Sequence, residues 1–187
     1  MNQSEIEKSL LAIYAFSNEQ LAFFQRKLFF RTLQRKELFL KKGEINSGLV
    51  FILKGSLRLY SKTEHMEMTI NFFTENCWVA DLESLLMQQP SKNYLEASEN
   101  CEIAEISLKD IHSLMDFHPC FRMLNALIAN LTVSTSQLTA IKSKSPDERY
   151  HDLLLNHPDW INRFPQMQIA SYLGMTPETL SRVRARI

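Results

Sequence analysis

Residues 164 to 184, FPQMQIASYLGMTPETLSRVR, constrain the fold more than any other stretch of this chain. Apolar side chains recur there at helical spacing in two short segments. Between the segments, Ala170 and Gly174 are small enough for two helices to approach closely and for the chain to turn sharply. Thr176 and Pro177 then provide an N-cap hydroxyl and a proline at the first helical position. The stretch therefore predicts two crossed helices joined by a short turn.

The second of these helices carries a polar outer face. Glu178, Ser181 and Arg182 all have side chains that can bond base edges in the major groove. The alternative is a helical hairpin packed for stability alone, with Glu178 and Arg182 as an i,i+4 ion pair. Apolar spacing, a turn glycine and a polar face together favour a DNA reader. The residues that we expect to contact phosphates are Gln166, Thr176, Thr179 and Arg184.

The distribution of charge supports this interpretation, although the chain has no net charge. From Trp160 to the last residue, four arginines stand against one acid, Glu178, which gives a balance of +3. Basic charge concentrated in a terminal segment is typical of a nucleic-acid-binding module. The four arginines are Arg163, Arg182, Arg184 and Arg186.

The first two thirds of the chain have a different pattern. Residues 5 to 30 are predicted to be helical, with a capping box formed by Ser17 and Gln20. Short β-prone runs separated by turn signals follow, and they predict an antiparallel barrel or sandwich. One run, 67–73, alternates in a way that places Met68 and Phe72 on the same face. The runs are 32–40, 49–53, 56–61, 67–73, 94–97 and 101–106.

A long helix is predicted from Pro119 to about Lys142, and it carries an apolar seam with heptad spacing. Such a seam between two modules indicates coiled-coil dimerisation. The alternative is that the seam packs on the barrel of its own chain. A capping box at Ser145 then begins a new helix, and we place a domain boundary there. The seam residues are Leu124, Leu127, Leu131, Leu138 and Ile141.

Three motifs resemble the Crp/Fnr family of bacterial transcription regulators, and together they span nearly the whole chain. They are GEINSGLVFILKGSLRLY at 43–60, CEIAEIS at 101–107, and DERY at 147–150 followed by IASYLGMTPETLSRVR. The last is similar to a cytophaga/bacteroides-type subgroup. The resemblance implies an α+β fold. Its first part is an N-terminal double-stranded β-helix, that is, a cupin-like jelly-roll barrel. A long dimerisation helix and a C-terminal winged helix-turn-helix follow. The implied domains are 1–118, 119–144 and 145–187.

The resemblance also implies partners and roles. The partners are double-stranded DNA at a near-palindromic site, a second copy of the chain, and RNA polymerase. Arg182 would bond a guanine, and Glu178 would accept from a cytosine amine. A competing hypothesis is a barrel-type adaptor that binds a ligand or a protein and keeps a vestigial helix-turn-helix. The chain offers no convincing catalytic arrangement, and its four glycines leave little for a phosphate-binding loop. We therefore do not expect an enzyme.

The barrel differs from the family's nucleotide sensors where they bind cyclic nucleotide. Those sensors hold the cyclic phosphate with an Arg-Ser pair and the ribose with a Gly-Glu pair. The matching stretches here read ADLE at 80–83 and PSKN at 90–93, and no arginine lies between Arg58 and Arg122. Without a bidentate guanidinium from the barrel, cyclic AMP is not the expected effector. The candidate pocket residues for an unknown effector are Asp81, Glu83, Lys92 and Asn93.

Composition limits the remaining possibilities. The three cysteines are scattered and contain no CxxC pair, which argues against a disulfide framework, a zinc site or an iron–sulfur cluster. No cofactor and no metal is predicted. The chain has no run of 18 apolar residues and no basic-then-apolar leader, so a soluble cytoplasmic protein is expected, without a membrane partner.

Overall fold

The computed structural model describes residues 3–64, 66–129, 131 and 144–186. The strands are β1 Phe29–Leu33, β2 Leu38–Leu40, β3 Gly48–Lys54, β4 Leu57–Lys62, β5 Glu67–Phe73, β6 Trp78–Val79, β7 Asn93–Ala97 and β8 Cys101–Ser107. The helices are α1 Gln3–Leu11, α2 Asn18–Gln25, α3 Leu82–Met87, α4 Leu108–Phe117, α5 Pro146–Asn156, α6 Trp160–Arg163, α7 Gln166–Tyr172 and α8 Pro177–Arg184. A 3₁₀ helix spans Pro119–Leu124, and residues 125–129 continue as α-helix.

The strands form two four-stranded antiparallel sheets, with orders β1-β8-β3-β6 and β2-β7-β4-β5. Their facing side chains bury one apolar core, which includes Leu33, Ile52 and Ile103. Gly48 is required where β3 meets β8, because a Cβ there would lie 2.3 Å from the backbone oxygen of Ile106. The barrel predicted from the alternating runs is confirmed as an antiparallel, jelly-roll-like barrel in an α+β chain.

The N-terminal helical region is two helices rather than one. The capping box at Ser17 is confirmed, and it begins α2 after a turn that ends α1. Both helices pack with α4 on the outside of the first sheet, around Phe24, Phe51 and Trp78. The indole Nε1 of Trp78 donates to the Ser9 hydroxyl at 3.0 Å, which ties α1 to the barrel.

The prediction for the faces of β5 was wrong. Met68 is 42% exposed, Thr69 is buried, and Phe72, although only 2% exposed, does not belong to the barrel core. The pairing of β5 with β4 shifts register between Leu59 and Tyr60, which interrupts the simple alternation. Phe72 instead packs among the C-terminal helices, so those helices cover a strand of the barrel.

The predicted long helix begins differently from the prediction, because its first segment, Pro119–Leu124, is a 3₁₀ helix. Leu124 and Leu127 are buried in the cluster beside the first sheet, and Leu131 packs against that cluster. Within one chain, these three side chains therefore follow the alternative that we gave for the seam, packing on their own barrel. Leu138 and Ile141 lie outside the described residues, and the dimer seam stays a prediction.

Residues 144–186 form what we call the C-terminal helical module. The capping box at Ser145 begins α5, as predicted, and α5 ends at Asn156 before His157, whose backbone is no longer helical. Gly174 has φ +64°, the left-handed conformation that the sharp turn between α7 and α8 needs. All elements in this range are helices, so the strands of the implied wing are not among them.

Candidate nucleic-acid interface and barrel cavity

The helix α8 has one apolar and one polar side, as the sequence predicts. Leu180 and Val183 are buried in the core of the C-terminal helical module, together with Tyr150, Leu153 and Ile169 of its other helices. The Thr176 hydroxyl accepts from the backbone N–H of Thr179 at 3.2 Å and caps the helix. The cap and the buried side fix the rotation of α8, and therefore fix which residues face outward.

The three residues predicted to read bases lie together on the outward side of α8. Glu178, Ser181 and Arg182 are all exposed. The backbone N–H of Glu178, the Thr176 hydroxyl and Arg182 lower the pKa of the Glu178 carboxyl below its ordinary value. Glu178 is therefore an anion at neutral pH and accepts hydrogen bonds only, whereas Arg182 presents a guanidinium fork. One side of the helix thus offers both an acceptor and a bidentate donor.

Three of the four residues predicted to contact phosphates are exposed as well. Gln166, Thr176 and Arg184 are exposed, and Thr179 is half-buried. The hydroxyls of Thr176 and Thr179 lie 3.2 Å apart at the first turn of α8. Hydroxyls and backbone N–H groups at a helix N-terminus are suited to an anionic oxygen.

Sequence reasoning assigned no role to Arg149, which supports the turn between the two helices. From α5, its Nη1 donates to the carbonyl of Leu173 at 2.8 Å and to that of Gly174 at 3.3 Å. These carbonyls follow the last residue of α7, where a helix leaves acceptors unpaired and favours a cation. Arg149 belongs to the DERY motif, which the family resemblance singled out, but the neighbouring residues do not indicate which carbonyls its side chain reaches.

A cavity of about 1180 Å³ lies beside the second sheet, and its walls come from both parts of the chain. The barrel contributes Asn71, Phe73 and Asp81, and the C-terminal helical module contributes Asp152 and Trp160. Three of the residues proposed for an effector pocket, Asp81, Glu83 and Asn93, line this cavity, and binding of an effector there stays a prediction. Lys92 does not line it: its ammonium is at the surface, paired with Glu83.

The polar groups on the barrel side of the cavity are bonded to one another. Asp81 is 3% exposed, and its Oδ2 accepts from the Ser91 hydroxyl at 2.5 Å and from Asn93 Nδ2 at 3.2 Å. Two cationic side chains, Lys144 and Arg149, line the cavity from the C-terminal segment. Lys144 pairs with Asp152 at 2.6 Å. Among the described residues, the barrel side of the cavity therefore presents a buried acid and no guanidinium.

Arg58, the barrel arginine closest in sequence to the candidate pocket residues, is bonded to other side chains. Arg58 is buried, its Nε donates to the Thr69 hydroxyl at 3.0 Å, and its guanidinium lies 4.3 Å from the centre of the Tyr60 ring.

Over the described ranges, no three His, Cys, Asp or Glu side chains are grouped so that they would hold a metal ion. None of the helices in those ranges is both long and apolar enough to cross a bilayer.

Known proteins share this architecture. Residues 30–118 match the family described as the cyclic nucleotide-binding domain. The chain is similar to the cAMP-activated global transcriptional regulator CRP of Haemophilus influenzae, with 28% identity over 163 residues, 79% of this chain and 72% of that protein. It is also similar to CRP of Salmonella typhimurium, with 24% identity over 161 residues, 79% of this chain and 77% of that protein.

Solved structures agree in fold. FixK2 from Bradyrhizobium japonicum superposes with a TM-score of 0.72 at 15% identity, covering 85% of this chain and 83% of its own. The c-di-GMP responsive global regulator CLP of Xanthomonas campestris gives 0.69 at 14% identity, covering 91% of each chain. The fold and the site thus define a barrel of the cyclic nucleotide-binding type that carries a helical module. In sequence and fold the chain is similar to regulators of the Crp/Fnr type.

Proposed function

We propose that the chain is a sequence-specific DNA-binding transcription regulator of the Crp/Fnr type. In this proposal α7 and α8 are a helix-turn-helix, and α8 enters the major groove. The observation that carries it is the outward side of α8, where Glu178, Ser181 and Arg182 are exposed together while Leu180 and Val183 are buried. The curated relatives, which are named as transcriptional regulators, support the same function.

Two of these residues have specific roles in the proposed readout. Arg182 bonds O6 and N7 of a guanine, and Glu178 accepts from the N4 amine of a cytosine. Ser181 adds a contact between them. Gln166, Thr176, Thr179 and Arg184 contact phosphates and set the register of the helix. Pro177 stands where some relatives have another base-reading arginine, so fewer groups read each half-site.

The proposed assembly is a homodimer on a near-palindromic site, with a barrel domain at 1–118, a dimerisation helix at 119–144 and a reader at 145–187. The barrel is the double-stranded β-helix of the family. Because Leu124 and Leu127 already pack on the barrel, the sharper test uses the later seam residues. Replacing Leu138 and Ile141 together by glutamate should convert the dimer to a monomer in sedimentation. A double variant that stays dimeric would contradict the seam.

The proposed effector is a small molecule other than cyclic AMP. The related CRP proteins are named as cAMP-activated, but this chain has no arginine from residue 59 to residue 121, and its cavity is lined by the buried Asp81. A carboxylate repels a cyclic phosphate and offers it no donor. Calorimetric titration of the full chain with cyclic AMP and with cyclic GMP should therefore show no binding. Low-micromolar affinity for either nucleotide would overturn this part of the proposal.

The experiment that tests the function is selection of preferred sites by the full chain from a random duplex library, followed by a gel shift with the enriched duplex. We expect enrichment of a two-fold symmetric motif. The alternative is a barrel-type adaptor that binds a ligand or a protein, with a vestigial helix-turn-helix. In that case no duplex is retained above the level of a random one. RNA polymerase is the further partner expected of a regulator bound at a promoter.

A further inference from the structure

The C-terminal helical module is fastened to the barrel by one arginine and two glutamates. Arg163, the last residue of α6, places Nη1 and Nη2 at 2.7 and 2.6 Å from the two oxygens of Glu75, which is a bidentate pairing. Its Nε donates to Glu99 Oε1 at 2.8 Å. This network holds the pKa of the Glu75 carboxyl well below its ordinary value, at about 2, with the hydrogen bond from Arg163 as the largest cause.

The barrel itself orients the two carboxylates. Glu75 lies in the turn after β5 and accepts from the backbone N–H of Gly55 at 2.8 Å. Glu99 lies between β7 and β8 and accepts from the Ser56 hydroxyl at 2.6 Å. Because both acceptors are fixed from the β3–β4 hairpin, the acidic pair is a preformed receptor for a guanidinium. We call Arg163, Glu75 and Glu99 the clasp.

Apolar and backbone contacts on β5 complete the docking surface. The Phe72 ring stacks on Phe164 with a centroid separation of 4.0 Å and meets the edge of Trp160 at 5.3 Å. The Thr69 backbone N–H donates to the Ser171 hydroxyl at 2.9 Å, and that hydroxyl donates to the carbonyl of Glu67 at 3.1 Å. The module therefore completes part of its own core with a barrel side chain.

We propose that the clasp holds the module against the barrel in a state of low DNA affinity, and that DNA binding is strengthened when the clasp opens. This inference rests on the proposed DNA-binding function. Arg163 is one of the four arginines that give residues 160–187 their balance of +3. In the docked state two glutamates pair with it, which cancels its positive charge and lowers the attraction of the module for a phosphate backbone. A guanidinium fork bonded to carboxylates is also unavailable to phosphate oxygens.

The position of the cavity indicates how the barrel would control the clasp. Asn71 and Phe73 of β5 line the cavity, and Phe72 between them packs in the module. Trp160 and Tyr172 of the module line the same cavity. A small molecule held there contacts both sides of the docking surface, and therefore shifts the balance between the docked and open states if it fits one of them better.

The test removes charge from the barrel side only, so that the residues proposed to contact DNA are unchanged. The variant is Glu75→Gln with Glu99→Gln in the full chain. The matched control is Glu19→Gln with Glu64→Gln, two exposed barrel-side glutamates that give the same change in net charge without touching Arg163. Glutamine keeps the shape and an acceptor oxygen at each position, and slow amide exchange in β3 checks that the barrel is folded.

Two measurements are made on each protein. Hydrogen exchange of residues 67–73 in the absence of DNA reports docking, because the Thr69 amide is bonded to the module. Fluorescence anisotropy with the duplex selected by the wild-type chain, and with a random duplex of equal length, reports affinity. We expect faster exchange and at least about fivefold tighter binding in the clasp variant, with the control within about twofold of wild type. The single variant Glu75→Gln should lie between the two.

Unchanged exchange, or an affinity no tighter than that of the control, would overturn the clasp. These outcomes are distinguishable from failure of the proposed function. If the wild-type chain, the clasp variant and the control all fail to bind any duplex, DNA binding itself is wrong and the regulatory proposal is overturned with it. If the wild-type chain binds its selected duplex and the clasp variant binds no more tightly than the control, only the clasp is wrong.

Discussion

The two sides of the C-terminal helical module use their polar groups in opposite ways. On the outward side, Glu178, Ser181 and Arg182 are exposed. On the inward side, Arg163 and Ser171 are bonded to barrel groups. The polar groups of the outward side are therefore open to the proposed DNA partner, whereas those of the inward side are satisfied within the chain. Substitutions on the outward side should therefore change DNA contacts directly, whereas substitutions on the inward side should change stability and docking, and DNA affinity only through docking.

The largest expected effect is on the inward side. Phe72→Ala removes a ring that is 2% exposed and in contact with three aromatic side chains of the module. We expect a loss of about 3–5 kcal/mol in the free energy of unfolding, measured in denaturant. Met68→Ala is the matched control, because Met68 lies on the same strand and is 42% exposed. If both variants lose the same amount, Phe72 does not support the module.

A smaller effect is expected on the outward side. Arg182→Ala should cost about 1–3 kcal/mol in binding to the selected duplex and relax preference at one base pair. Its free energy of unfolding should change by less than about 0.5 kcal/mol, because the side chain is exposed. Repeating the site selection with this variant is the measurement. Recovery of the wild-type motif would mean that α8 does not read bases as proposed.

The pH dependence of docking should separate the two sides again. The pKa of Glu75 is lowered from 4.5 to about 2 in the docked state. The stabilisation of the docked state by the ionised Glu75 is therefore fully present above pH 4.5 and is lost progressively as the pH falls toward 2. Amide exchange of residues 67–73 measured at pH 5.5 and at pH 3.5, corrected for the intrinsic rate, should show docking weaken at the lower pH. Glu75→Gln should lack most of this change, and an equal change in that variant would refute the assignment.

The smallest expected effect concerns the rim of the outward side. Arg184→Ala should weaken binding to all duplexes alike and reduce the slope of log affinity against log salt by about one unit. A gel shift over a salt series with the selected and the random duplex measures both. A changed base preference in this variant, with an unchanged salt slope, would move Arg184 from a phosphate-contacting to a base-reading role.

Local chemistry explains why much of the fold was predictable. The caps at Ser17, Ser145 and Thr176 depend on side chains three residues apart, so each helix start was visible in the sequence and is confirmed. The outward face of α8 follows from the same helical period. The barrel followed from alternation and turn signals, and the lining of the cavity by Asp81 and Asn93 follows the family resemblance.

The inward side was hidden because nothing local specifies it. Arg163 and Glu75 are 88 residues apart in the chain, and each resembles an ordinary surface charge. Phe72 alternates as a barrel residue does, and an alternating pattern cannot tell whether the barrel or another module covers a face. The register shift in β5 then exchanged the exposed and buried positions. Lys92 was assigned to the pocket because of its position in the sequence, but its exposed ammonium pairs with Glu83 and does not line the cavity.

The position of β5 at the end of its sheet gives the docked module a second consequence. An end strand presents backbone groups that can pair with a strand of another molecule, which is a common route to aggregation. Here Ser171 occupies the amide of Thr69 and the carbonyl of Glu67 on that edge. A chain whose module has separated from the barrel therefore exposes both the free edge of β5 and the ring of Phe72. Such a chain remains soluble only while the open state is brief or another surface covers the edge.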